Sequence, residues 1–287
     1  MTPQTAAVYN RVWSGLFAFL EQYDITQSFP VNTSSISLYV AHLYEKGFSA
    51  RTISTYLSAI SYAHKIQGLK DPTKEFLIQK LVAGVFRLKP AIDLRLPITR
   101  PILHRLVDAL NHTTASFNRS LFRAMFLFAF STYARIGELA YTSSHASIQL
   151  DDVTFMASGK QVHEVKVCFR HFKHNLMGLP HFISFKQVTH KHCPVRALLE
   201  YLKFRGSKAG PLFCDTLGKA ISRSIFDSQL RAALRFCGLN SSSYKGHSFR
   251  IGAASWDAEN GVPDSQIRLR GRWKSDAFKK YIRVATN

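Results

Sequence analysis

Three prolines interrupt the chain between a helical front part and everything that follows it. Pro90, Pro97 and Pro101 lie close together, and a proline lacks the backbone N–H that a continuous helix requires. At 287 residues the chain is long enough for two hydrophobic cores. We therefore predict two domains and a linker: residues 1–89, residues 101–287 and the linker 90–100.

The front part is predicted to be a small helical domain. Apolar side chains recur there at helical spacing in three segments, residues 7–23, 35–45 and 50–67. The third segment places Arg51, Thr52, Thr55 and Tyr56 at neighbouring helical positions, where they offer a polar, basic face to phosphate groups. An ordinary solvated helix face is the alternative that these residues leave open.

The second part is predicted to be mainly helical with a small antiparallel β-sheet. Residues 121–132 are so apolar that a helix there must be buried on nearly all sides. Residues 164–172 alternate between apolar and polar side chains, and a turn over 173–180 leads into a second short run at 181–185, which is typical of a hairpin. Other helices are expected at residues 101–111, 194–205, 224–237 and 247–260.

The charge of the chain narrows the classes of molecule that it is expected to bind. Lys and Arg number 38 against 18 Asp and Glu, which gives a formal charge of +20. A surface this basic favours a polyanion, nucleic acid first and an anionic membrane second, although a merely soluble basic protein is an alternative. No stretch approaches about 20 apolar residues and the N-terminus lacks the pattern of a secretory signal, so we expect an intracellular protein without a membrane span.

No metal site is expected from the sequence. The four cysteines are scattered without a Cys-x-x-Cys pair, so we expect reduced thiols rather than a zinc site. Residues 190–193 (HKHC) resemble a ligand cluster only superficially, because Pro194 follows them as the expected first residue of a helix.

Two basic segments have the features of an anion site. His247 and Arg250 lie three positions apart at the start of an expected helix, so both project from one face near its positive end. Arg135 follows the very apolar helix, where its charge needs either an acidic partner or an anion. A purely structural pair with Glu138 is the alternative for Arg135.

These segments, taken in order, carry a resemblance to a known family. Residues 134–139 (ARIGEL), residues 247–250 (HSFR), Trp273 and Tyr281 resemble the ordered signature of the tyrosine recombinases, or phage-type integrases. The run from residue 247 onward is similar to Cre-like members. The sequence of residues 271–283 is most similar to recombinases of eukaryotic mobile elements of the DIRS and Crypton kinds. The two expected domains also resemble the family's core-binding and catalytic domains, which together clamp DNA.

The resemblance implies a covalent mechanism. Tyr281 would attack a DNA phosphodiester and form a 3′-phosphotyrosine, and a 5′-hydroxyl from another strand would then reverse the step. Arg135 and Arg250 would bind the non-bridging oxygens of the phosphate. His247 would assist proton transfer from the tyrosine, whose hydroxyl ordinarily has a pKa near 10.

Further roles follow from the same resemblance. Lys173, at the expected end of the first hairpin strand, would protonate the departing 5′-oxygen, and Trp273 would donate a hydrogen bond or pack beneath the phosphate. Glu138 matches the acidic residue after the first arginine. Tyr281 follows Trp273 by eight positions, one fewer than in the Cre pattern, whereas counting from Arg272 restores that spacing. Either the intervening loop is shorter, or Arg272 takes the role of the tryptophan.

The implied partners are double-stranded DNA and further copies of the chain, as a tetramer on DNA. No metal, nucleotide or other small-molecule cofactor is implied, and the place of action would be on DNA, in the nucleus if the host is eukaryotic. The sequence ends at Asn287 without the further C-terminal helix of many relatives, so altered assembly or truncation is expected. A domesticated DNA-binding protein of the same fold and a strand-relaxing enzyme similar to type IB topoisomerases are the alternatives.

Overall fold

The protein divides into two compact units. The computed structural model describes residues 1, 3–26, 29–90, 95–142, 147–172, 175 and 178–283. Most contacts between residues lie within one of two units, unit 1 (Met1–Asp93) or unit 2 (Leu94–Asn287). The expected fold class, mainly α with a small antiparallel sheet, is confirmed. Residues 91–94 of the expected linker lie outside the described part of the chain.

Unit 1 is a cluster of helices around one small core. Its described helices are α1 (Pro3–Gln22), α2 (Thr33–Glu45), α3 (Ala50–Ile66) and α4 (Phe76–Leu88). Asn32 and Ser49 cap α2 and α3 by accepting the backbone N–H of Ser35 and Thr52, which fixes where these helices begin. The core contains Leu16, Leu20, Ile36, Val40, Ile53, Ile60 and Ile78.

Helix α4 was not among the predicted helices. Its inward-facing residues, Ile78, Leu81, Val82 and Val85, nevertheless recur at helical spacing. Ile78 and Val85, two turns apart, are buried, whereas Phe76 and Leu88 are exposed. The sequence therefore carries a signal for this helix, although the exposed apolar side chains of Phe76 and Leu88 obscure it.

Unit 2 surrounds one strongly apolar helix. Its helices are α5 (Arg100–Thr113), α6 (Ser116–Ser131), α7 (Ile136–Leu139), α8 (Pro194–Arg205), α9 (Arg223–Phe236), α10 (His247–Glu259) and α11 (Asp264–Arg270). Every residue of α6 from Ala124 to Phe130 is buried, as its composition predicts. Helix α11, which the sequence analysis did not identify, has only seven residues.

A small sheet packs beside α6. Strands β1 (Val153–Ser158), β2 (Gln161–Phe169) and β3 (His181–Lys186) form an antiparallel sheet in the order β1-β2-β3. The expected hairpin of β2 and β3 is therefore observed, and β1 is an additional strand. Strand β2 ends at Phe169, three residues before the predicted end at Phe172. Buried Val153, Val167 and Ile183 lie side by side across the three strands and turn their common face toward the core.

Helix α10 packs directly against backbone. The N–H of Ile98 donates to the carbonyl of Ser248 at 3.0 Å, and a Cβ added to Gly252 would lie 1.9 Å from the carbonyl oxygen of Ile98. Only glycine permits this approach, which brings the chain before α5 across the helix that carries His247 and Arg250.

We expect Gly252→Ala to destabilise unit 2 by about 3 kcal/mol, because the added methyl group overlaps backbone that cannot rotate away. Urea unfolding followed by the fluorescence of Trp256 and Trp273 measures the change. Gly137→Ala is the matched control, since its Cβ would meet no atom closer than 3.8 Å. Equal stability of the two variants would contradict the packing described.

Candidate active site

Helix α7 presents the first arginine together with its acidic neighbour. The carboxylate of Glu138 accepts the backbone N–H of Arg135 at 2.8 Å and its Nη1 at 3.0 Å, so the side chain also caps the short helix. The Arg135 side chain is 25% exposed, whereas Glu138 is buried. Arg135 is therefore held from below by a carboxylate and can be reached from solvent.

The first turn of α10 lies against α7. A Cβ on Gly246 would lie 2.3 Å from Cγ1 of Ile136, so glycine is needed for the two helices to meet. The helix begins at His247, as predicted. His247 is half-buried, and its ring centroid lies 4.9 Å from that of Tyr281. The close approach thus brings the histidine and the first arginine of the signature into one part of the unit.

Arg250 is wholly buried in the middle of the cluster. Its Nη1 donates to the carbonyl of Tyr133 at 2.7 Å, and its Nη2 donates to the carbonyl of Gly271. The guanidinium lies over the ring of Trp273, 4.1 Å from the ring centroid. Burial lowers the pKa of Arg250 well below its ordinary value, and the nearby charges of Arg135 and Arg272 lower it further.

Arg272 is also buried, beneath the carboxylate of Glu138. Its Nη2 donates to Oε2 of Glu138 at 2.7 Å, and the guanidinium lies 3.9 Å from the ring centroid of Phe169. Burial lowers its pKa, although Glu138 opposes that effect. The side chain has no exposure, and no described contact joins it to the ring of Tyr281.

Trp273 and Tyr281 lie next to each other. Tyr281 ends a 3₁₀ segment, Asp276–Tyr281, that buried Phe278 anchors to the core. Its ring centroid lies 5.3 Å from that of Trp273. The hydroxyl of Ser255 donates to the carbonyl of Tyr281, and the N–H of Arg283 donates to Oγ of Ser255 at 2.8 Å. Trp273, rather than Arg272, is the neighbour of the tyrosine ring.

The cluster carries more positive than negative charge. Arg135, Arg250 and Arg272 contribute three guanidinium groups, and Glu138 is the carboxylate that bonds to two of them. Guanidinium groups keep their protons under ordinary conditions. The cluster therefore has a surplus of two positive charges, and the charge of Arg250 acts on the phenol of Tyr281, so an anion would be stabilised there.

The remaining predicted residues are Lys173 and four residues of unit 1. Lys173 lies outside the described residues. In unit 1, Arg51 and Thr55 are exposed on α3, while the hydroxyl of Thr52 bonds to Ser49 and the ring of Tyr56 packs against Phe48. Their part in binding stays a prediction.

Three further residues, which were not predicted from the sequence, hold the cluster together. They are Tyr133, Ser255 and Asp257. Tyr133 follows an apolar helix and Ser255 lies within a run of small residues, so both resemble ordinary core positions. No sequence signal marks Tyr133, because its contacts depend on a backbone conformation that the residue types do not reveal.

A cavity of about 710 Å³ lies beside the cluster. Tyr133, Asp257 and Arg270, which contact the cluster, are among the residues that line this cavity. It is also lined by His104, His190 and His192, and the rings of His104 and His190 stack. Arg135, His247, Arg250 and Tyr281 do not line it. Among the described residues, no group of histidine, cysteine and acidic side chains has the geometry of a metal site. No described helix is both long and apolar enough to cross a membrane.

We expect Glu138→Ala to lower the free energy of unfolding of unit 2 by about 3 to 5 kcal/mol, because it leaves buried Arg272 without its carboxylate partner. Urea unfolding monitored by tryptophan fluorescence checks this. Glu200→Ala is the control, since Glu200 is 47% exposed and its pair with the partly exposed Arg123 should contribute at most about 1 kcal/mol to stability. If both variants lost a similar free energy of unfolding, the contacts of Glu138 would stabilise unit 2 no more than a surface ion pair does.

Comparison with known proteins confirms the resemblance to the tyrosine recombinases. In fold, the chain is similar to site-specific recombinases and integrases. In sequence, it is 25% identical over 290 residues to an integrase/recombinase XerD homologue of Selenomonas ruminantium, a match that spans 97% of this chain and 81% of the relative. No protein-family model matches the chain.

Two solved structures illustrate the likeness in fold. The XerH site-specific recombinase bound to palindromic difH substrate, in a post-cleavage complex, has a TM-score of 0.68 at 14% identity, over 99% of this chain and 76% of that one. A lambda integrase tetramer bound to a Holliday junction has a TM-score of 0.63 at 14% identity, over 99% and 72%. The match covers both units, so the likeness in fold is not confined to one of them.

Proposed function

We propose that the protein is a site-specific DNA recombinase that cuts and rejoins DNA through a covalent bond between Tyr281 and a 3′-phosphate. The observation that carries the proposal is the surplus of positive charge in the cluster of Arg135, Arg250 and Arg272, whose member Arg250 interacts with Tyr281. A phosphodiester carries the negative charge that this arrangement would stabilise.

The cleavage step exchanges one phosphate ester for another. The phenol oxygen of Tyr281 bonds to phosphorus while the bond from phosphorus to the 5′-oxygen breaks. The phenol gives up its proton and the departing 5′-oxygen gains one, so the number of phosphate ester bonds is unchanged. Attack by a 5′-hydroxyl of another strand reverses the step and joins the new partners. No metal ion, nucleotide or other cofactor enters this scheme.

The roles of the side chains follow from their places. Arg135 and Arg250 bind the non-bridging oxygens and offset the charge that develops in the transition state. His247 accepts the phenol proton, since its ring lies beside that of Tyr281. Lys173 donates a proton to the 5′-oxygen, a role based on the family resemblance alone. Trp273 packs beneath the phosphate.

Access to Arg250 requires a rearrangement. Its side chain has no exposure, and Trp273 covers one face of the guanidinium. Arg135 is open to solvent and would meet the phosphate first. DNA binding must then shift the ring of Trp273 or Tyr281 before a phosphate oxygen can touch Arg250.

The partners are double-stranded DNA and further copies of the chain. The charge of +20 favours a polyanion, and the relatives in the solved complexes bind DNA, in one case as a tetramer. We assign residues 1–89 to core binding, with α3 as a contact surface, and residues 101–287 to catalysis. Such a protein acts where its DNA is kept, which is the nucleus if the host is eukaryotic.

The test uses duplexes that tile the DNA on both sides of the gene, each with a nick that traps cleaved product. A recombinase forms a covalent adduct with one of them and joins two un-nicked DNA molecules carrying that site. Relaxation of supercoiled DNA without joining would favour the topoisomerase-like alternative. Binding without an adduct on every duplex would favour a DNA-binding protein that does not cleave.

A further inference from the structure

Two residues beside the candidate site adopt a backbone conformation that ordinary side chains avoid. The described non-glycine residues with positive φ are Asp24, Tyr133 (φ 52°) and Arg272 (φ 53°). Tyr133 is two positions before Arg135, and Arg272 directly precedes Trp273. Glycine adopts this conformation without steric cost, whereas an L-residue does not. A tyrosine at position 133 must therefore offset that cost through contacts of its own.

Tyr133 makes two hydrogen bonds to the same face of α10. Its carbonyl accepts Nη1 of Arg250 at 2.7 Å, and its hydroxyl donates to Oδ2 of Asp257 at 2.5 Å. Arg250 and Asp257 are seven residues apart, or two helical turns, so the two bonds attach residue 133 to points on the order of 10 Å apart along the helix axis.

The hydroxyl bond belongs to a larger set of contacts. Arg270 of α11 donates to the same oxygen of Asp257, and the ring of Tyr133 meets that of Trp273 edge-on at 6.0 Å. Tyr133 is 3% exposed. Burial raises the pKa of its hydroxyl, and the bond to Asp257 raises it further, so the group stays a donor.

We propose that Tyr133 is a positioning residue for catalysis, which fixes its own carbonyl on Arg250 by anchoring its hydroxyl to Asp257. This inference rests on the proposed function, because it concerns the phosphate-binding arginine of that site. The anchor holds the turn between α6 and α7, so the guanidinium of Arg250 and the approach of Arg135 are set together. Loss of the hydroxyl frees the turn and lets the Arg250 guanidinium rotate.

The test compares Tyr133→Phe with the native chain in single-turnover cleavage of a nicked duplex and in equilibrium DNA binding. We expect the cleavage rate to fall about 10- to 100-fold, because small displacements of a catalytic group have effects of that size. The dissociation constant for DNA should change less than about two-fold, because many other cations supply affinity. Tyr201→Phe is the matched control, since that tyrosine is equally buried and bonds to the backbone of residues 212 and 214.

A double-mutant cycle identifies the partner. If the bond between Tyr133 and Asp257 is the cause, Asp257→Ala should slow cleavage, and adding Tyr133→Phe to it should slow cleavage no further. Independent, additive losses would overturn the proposal, as would a native cleavage rate in Tyr133→Phe.

A measurement without DNA separates this inference from the proposed function. In ¹⁵N-arginine NMR spectra of the free protein, the fixed guanidinium of Arg250 should give distinct Nη signals, and these should merge or broaden in Tyr133→Phe but not in Tyr201→Phe. Unchanged Arg250 signals in Tyr133→Phe would overturn the inference. If the native protein cleaves no duplex, the proposed function fails, while the spectra still decide whether Tyr133 positions Arg250.

Discussion

Replacing Tyr281 by phenylalanine is expected to abolish the covalent adduct with nicked DNA, with a loss of at least about 10⁴-fold in cleavage rate. The change removes one oxygen atom, the proposed nucleophile. The ring contacts with His247 and Trp273 do not depend on that atom, so folding and DNA affinity should persist. Denaturing gel electrophoresis of protein with labelled nicked duplex measures the adduct.

Tyr141→Phe is the control for this variant. Tyr141 lies in the same unit, is 54% exposed and makes no described contact with the cluster, so its adduct yield should equal that of the native chain. An undiminished adduct in Tyr281→Phe would remove Tyr281 as the nucleophile.

The second large effect concerns Arg250. We expect Arg250→Ala to reduce cleavage by about 10³-fold, because a buried guanidinium that stabilises charge in the transition state has no substitute in the cluster. DNA binding should persist, since affinity depends on the many other Lys and Arg side chains and falls with added salt. Cleavage rate and dissociation constant are measured on the same nicked duplex.

Arg250→Lys keeps this experiment decisive if the alanine variant unfolds. Lysine retains a charge but cannot donate to the carbonyls of Tyr133 and Gly271 in the same planar geometry. We expect a folded protein that binds DNA and cleaves it slowly. A parallel fall of binding and cleavage in these variants would reduce Arg250 to a binding residue.

The sequence predicted the elements whose pattern is strong. Helix α6 is apolar on every face, and β2 alternates between buried and exposed side chains, so each could be recognised from its own residues. Strand β1 could not, because most of its side chains are exposed and its place depends on pairing with β2. Helix α4 was missed although its buried face has helical spacing, because apolar side chains also occupy its exposed face.

The candidate site was predicted in the same partial way. The residues of the signature could be named from their order, and the structure places Arg135, His247, Arg250, Trp273 and Tyr281 in one unit. The choice between Arg272 and Trp273 could not be made from spacing. The left-handed backbone at Arg272 sends its side chain to Glu138 in the interior and leaves Trp273 beside Tyr281. Tyr133 was missed because its positive φ, on which its contacts depend, cannot be inferred from the residue type.

The most direct test of this account is chemical identification of the bond in the covalent adduct. The adduct formed with a nicked duplex is digested with nuclease and protease, and mass spectrometry locates the modified residue. The account predicts a peptide in which Tyr281 carries the 3′-phosphate of a nucleotide, with a free 5′-hydroxyl on the released strand. A phosphate attached to any other residue, or a linkage through a 5′-phosphate, would contradict it.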